Sequence, residues 1–74
     1  MSTLYELNIN KSAKINSLNS SNMFCSRLSE MGVLPGSLVR VVKKNPFGGP
    51  IEIKLDNSYL AIRKEDAELI LISE

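Results

Sequence analysis

The sequence has no histidine and no tryptophan, a single cysteine, and only two tyrosines and two phenylalanines. Each absence excludes something. Without histidine, the commonest general acid–base near neutral pH is missing, and neither a Ser–His nor a Cys–His nucleophile can be assembled. One cysteine and no histidine cannot build a zinc or copper site within one chain. Cys25 has no internal partner for a disulfide, so the fold does not depend on oxidation and a reducing, cytoplasmic setting is expected. Charge of one sign is also missing. Nine Lys and Arg stand against eight Asp and Glu, a net +1, where a dedicated polyanion binder carries a clear basic excess. The longest apolar runs reach about four residues, far short of the roughly 20 that span a bilayer. Met1-Ser2-Thr3-Leu4 shows no basic region followed by an apolar stretch, so no signal peptide is read and the chain is expected to be complete.

What remains is enough for one core. Hydrophobic residues make up 43% of the 74 positions, typical of a globular chain. Surface scaling gives about 4,500 Å² folded against about 11,900 Å² unfolded. A single small domain spanning residues 1–74 is therefore expected, with no repeat and no low-complexity segment.

The pattern along the chain is mostly β. Leu4, Leu7 and Ile9 suggest an N-terminal arm packed on the core. Residues 11–18 alternate with a period of two, as a half-buried strand does. Asn19-Ser20-Ser21-Asn22 offers N-cap side chains for a helix from about Asn22 to Met31, with Phe24, Leu28 and Met31 on one face and Arg27, Ser29 and Glu30 around the other. Gly32 falls where a helix wants a left-handed residue, and Pro35-Gly36 reads as the centre of a type II turn. Strands are expected over 37–44, 51–55, 58–63 and 68–73. The 45–50 loop, bracketed by Pro46 and Pro50, separates the first two, and Asp56-Asn57 is a tight hairpin turn. Residues 64–68 are polar and about one helical turn long. About five short strands and one short helix predict a small, partly open antiparallel barrel.

Few side chains carry chemistry. Glu65, Asp66 and Glu68 are either a weak divalent-cation cluster or a solvated turn, the second being the better reading. Gly48-Gly49 lacks the spacing of a phosphate loop and fits a flexible hairpin. Cys25 is a reactive thiol at a helix start or a half-buried small residue, again with the second preferred. Arg40, Lys43, Lys44, Lys54 and Arg63 could share a sheet face, but Glu52, Asp56 and Glu65 interleave them and only Tyr59 and Phe47 are candidates for stacking. A mixed solvated face is expected there. Phe47, between Pro46 and Gly48, either folds back as a lid over the barrel or stands out as an anchor for a partner.

The order of segments resembles a known family. Leu4-Tyr5-Glu6-Leu7 precedes Ala13-Lys14-Ile15. Then come Arg27-Leu28-Ser29-Glu30-Met31-Gly32-Val33-Leu34-Pro35-Gly36 and Val39-Arg40-Val41-Val42. Pro46-Phe47-Gly48-Gly49-Pro50-Ile51 and Ala61-Ile62-Arg63-Lys64-Glu65-Asp66-Ala67 follow. The whole chain is similar to the FeoA family of small ferrous iron transport proteins. The resemblance implies an SH3-like barrel with a helix near its N-terminal part. It also implies a non-enzymatic cytoplasmic accessory that contacts an FeoB-type membrane transporter, without itself inserting in the membrane. Similar domains end the metal-dependent repressors related to the diphtheria toxin repressor, whose DNA-binding helices this sequence lacks. The alternative, an SH3-like nucleic-acid-binding module, is the weaker reading. No catalytic residue, metal ligand, cofactor or nucleic-acid partner is expected. Met23, Arg27, Glu30 and Phe47 are the candidate partner-binding residues.

Overall fold

The computed structural model describes residues 2–19 and 22–73. Six strands form one antiparallel sheet: β1 (Ser2–Thr3), β2 (Ser12–Leu18), β3 (Leu38–Lys43), β4 (Ile51–Leu55), β5 (Ser58–Ile62) and β6 (Ile70–Ser73). A 3-10 turn, Leu4–Glu6, follows β1. Helix α1 (Asn22–Glu30) joins β2 to β3, and the one-turn helix α2 (Lys64–Ala67) joins β5 to β6. The strand order is β1-β6-β2-β3-β4-β5, with β1 and β5 at the two edges, so the sheet is not closed. The extra strand relative to the sequence reading is β1, two polar residues that pair with Ile72 and Leu71 of β6. Nothing local marks such a strand; the partner makes it.

Alternation fixes which residues face inward. Ile51, Ile53 and Leu55 of β4, Val39 and Val41 of β3, and Ala13 and Ile15 of β2 are all buried in one cluster with Ile70 and Ile72. Their polar neighbours Glu52, Arg40 and Lys14 face out. Fully burying a Val, Leu or Ile side chain contributes roughly 1.5–3 kcal/mol, so this one cluster carries the fold. Two register shifts, between Ile15 and Ser17 and between Val41 and Lys43, bend the sheet around that core.

Helix α1 ends in a Schellman arrangement. The Val33 amide donates to Leu28 O at 2.8 Å and the Gly32 amide to Ser29 O at 3.0 Å, with Gly32 at φ +87°. Val33 and Leu28 both enter the core, the apolar contact that accompanies this cap. Here one expectation is corrected. Met31 was assigned to the buried face with Phe24 and Leu28, but it is exposed. The helix stops at Glu30, and the reversal at Gly32 delivers Val33 to the core in its place. The turn that follows is as expected: Ser37 N donates to Leu34 O at 3.0 Å across Pro35-Gly36, with Gly36 at φ +92°. The N-cap expectation for α1 falls partly on Ser20 and Ser21, outside the described residues.

Ile9 is a second correction. It belongs to the arm but is exposed. Lys11 N donates to Asn8 O at 3.1 Å, and Asn10 takes φ 68°. Ile9 therefore sits at the tip of a turn, where its side chain cannot reach the core that Leu4 and Leu7 fill.

Candidate functional site

Of the four candidate residues, three lie on α1 and one in the loop after β3. Met23 (76% exposed), Arg27 and Glu30 lie on the solvent side of α1, whose inner side is anchored by Leu28. Phe47 lies in the 45–50 loop after β3. The two groups belong to separate elements, with all of β3 between them in the chain. They do not form one contiguous patch along a single element.

Phe47 is 95% exposed, so the expectation of a lid folded over the barrel is corrected: the side chain stands out in solvent. The loop itself is ordered by Asn45. Its Oδ1 accepts from Phe47 N at 2.9 Å, its carbonyl accepts from Gly48 N at 3.2 Å, and Gly48 takes φ +79°. A Cβ on Gly49 would stand 2.6 Å from Asn45 Nδ2. Only glycine there lets Asn45 keep the turn that holds Phe47 outward. Pro46 and Pro50 add stiffness from either end.

Beside this loop lies a feature the sequence reading did not find. The Lys44 and Lys64 ammonium groups both stand 5.5 Å from the Tyr5 ring centroid, and Lys44 Nζ donates to Tyr5 O at 2.8 Å. The arm, the end of β3 and α2 converge there, and only tertiary packing could reveal it. Cation–π contact holds the ammonium groups where no carboxylate does: among the described residues no lysine or arginine forms an ion pair.

The outer face of the sheet gives the basic residues a register. Arg40 lies directly opposite Lys54 and Ser12, and Lys54 directly opposite Tyr59. The Lys54 ammonium stands 5.9 Å from the Tyr59 ring centroid. One row, Ser12–Arg40–Lys54–Tyr59, thus crosses β2, β3, β4 and β5. An open groove of about 200 Å³ runs beside it, lined by Ser12, Leu38, Val39, Arg40, Lys54 and Asp56. Alternation alone left it open whether Arg40 and Lys54 share a face; strand register, which a sequence does not state, puts them side by side.

No arrangement for catalysis is visible in these groups. Among the described residues no three His, Cys, Asp or Glu side chains gather where they could hold a metal ion. Cys25 is half-buried on α1, its carbonyl accepting from Ser29 Oγ at 2.8 Å. No helix among the described residues is long and apolar enough to cross a membrane.

A small open β-sheet with one capped helix is the form of a small SH3-like domain. The FeoA domain family matches residues 2–74, and the chain belongs to that family of ferrous iron transport proteins. Its structural relatives agree. Iron(II) transport protein A of Clostridium thermocellum is 33% identical with a TM-score of 0.88, over 95% of this chain and 43% of that one. FeoA of Stenotrophomonas maltophilia, solved with zinc and described as a prokaryotic SH3 domain protein, is 30% identical with a TM-score of 0.84, over 99% of this chain and 91% of that one. A manganese-dependent transcriptional repressor shares the fold alone, at 15% identity and a TM-score of 0.88, over 96% of this chain and 35% of the repressor.

Proposed function

We propose that this chain is a non-enzymatic, cytoplasmic accessory of ferrous iron uptake that acts as one domain by contact with an FeoB-type membrane transporter. The family match across residues 2–74 carries the reading. The Stenotrophomonas relative is described in terms of a ferrous iron transport activating factor. The exposed side chains fit such contact. Met23 and Phe47 are large apolar groups held in solvent, and interface energy concentrates in a few such anchors within a polar rim. Arg27 and Glu30 supply that rim on α1. Because the helix and the loop are separate elements, the transporter surface either spans both or engages one.

Capture of a purified FeoB-type transporter by the immobilised chain tests this. Phe47→Ala and Arg27→Glu are each expected to weaken capture by about tenfold or more while melting like the parent. Exposed residues of this kind change stability by less than about 0.5 kcal/mol. If the parent captures no transporter, the partnership is refuted. If both variants melt normally and capture it fully, the surface is misassigned.

A further inference from the structure

The Arg40–Lys54 opposition gives the sheet no ion pair. Directly opposite residues on one sheet face hold their Cβ atoms about 4.5–5.5 Å apart, and like charges there destabilise the pair. A sheet selected only for stability would place an acid at one of the two positions. The neighbouring pair has that arrangement, with Lys43 opposite Glu52. Asp56 lines the same groove as Arg40 and Lys54, yet no ion pair joins it to either among the described residues. Both cations are left without an anion. Leu38, 59% exposed, and Tyr59, 64% exposed, flank them with apolar surface. The Lys54 ammonium is steadied over the Tyr59 ring, 5.9 Å from its centroid.

We propose that this groove docks a short acidic segment of a partner polypeptide, its carboxylates bridging Arg40 and Lys54 and an apolar side chain resting on Leu38. Charge complementarity selects the occupant. Arg40 offers a planar fork suited to a carboxylate, and Lys54 a point charge beside it. An anion shared by both offsets the repulsion between two like charges placed directly opposite. A nucleic-acid strand fits less well. Asp56 in the groove and Glu52 in the next row interrupt any positive track, and one aromatic gives little stacking. The groove contains none of Met23, Arg27, Glu30 or Phe47, so this inference is independent of the transporter contact proposed above.

The experiment is titration of the isotope-labelled full chain at about 150 mM salt, where exposed charges more than about 8 Å apart are screened. The probe is a short, end-blocked peptide of glutamate and leucine. Saturable amide shifts are expected at Ser12, Leu38, Arg40, Lys54 and Tyr59. Arg40→Gln and Lys54→Gln should each weaken binding about tenfold, the loss of one charge-assisted hydrogen bond. Phe47→Ala should leave it unchanged. Thermal melts show that the variants fold, and because both positions face solvent at least one is expected to remain native. Shifts elsewhere, no shifts, or equal binding of the glutamine version of the peptide would overturn the proposal. Tighter binding of inorganic phosphate or of an oligothymidylate would replace it with a small-anion or nucleic-acid site. Concentration-dependent shifts at the same amides without peptide would assign the groove to a second copy of the chain.

Discussion

Gly32 holds φ +87°, and a Cβ built there meets nothing within 4 Å. The demand for glycine is therefore conformational and not steric. A β-branched residue resists the left-handed region most strongly. Gly32→Val is expected to destabilise the domain by more than about 1 kcal/mol, because the Schellman bonds to Leu28 and Ser29 need that φ. Gly32→Asn should cost less, since asparagine tolerates the region. Denaturant midpoints of the three proteins decide, and equal losses for Val and Asn would show that the cap conformation is not the cause. Glu6 makes a different residue-scale case. Its carboxylate accepts from Thr3 N at 2.8 Å. The Thr3 amide first, and the Thr3 hydroxyl second, hold its pKa below the ordinary 4.5. The sign follows from the lowered folded value: the contribution is complete above about pH 4.5 and is lost as pH falls through the folded pKa. Glu6→Gln should thus be less stable than the parent near neutrality, with the gap closing on acidification. Melts across pH 3 to 7 read the gap, and one that widened in acid would contradict the assignment.

The elements were legible in proportion to how local their causes are. Strand β4 was legible through strict alternation, and β5 as its return after the two-residue turn, in which Asp56 alone takes positive φ, at 43°. Helix α1 and its glycine stop were legible too, because capping chemistry is written in neighbouring residues. Strand β1 was not, since Ser2 and Thr3 have no pattern and pair only because β6 presents an edge. The buried face of α1 was misread at Met31 for a related reason: the cap geometry, not the helical period, chose Val33. Strand register was likewise invisible, and it decides the opposition of Arg40 and Lys54. That opposition makes a stability prediction. Lys54→Glu converts a like-charge pair into an opposite one and should stabilise the domain by about 0.2–1 kcal/mol. It also exchanges the contact to Tyr59, which bounds the gain from above. A Lys54→Glu variant less stable than the parent would show that the Lys54–Tyr59 contact outweighs the repulsion.

Across the whole molecule, the candidate site was legible as residue types and not as an arrangement. The absence of histidine and the single cysteine already pointed away from catalysis, and no local signal could have shown that Tyr5 receives two ammonium groups from β3's end and α2. The same absences govern the family's cargo. A ferrous ion bound by one copy of this chain would need several carboxylates to converge, because scattered acids bind divalent ions weakly. Glu65 and Asp66 ride on α2 and Glu68 ends it, so they fan around one turn instead of closing on a point. Among the described residues no acid, thiol or imidazole group of three assembles elsewhere. A monomer is therefore expected to bind Fe²⁺ no more tightly than about micromolar. Anaerobic calorimetric titration at two protein concentrations checks this. A one-to-one complex tighter than that, unchanged on dilution, would contradict it. A complex seen only at the higher concentration would require ligands shared between copies, which the monomer's geometry allows because Glu65 and Glu68 are exposed.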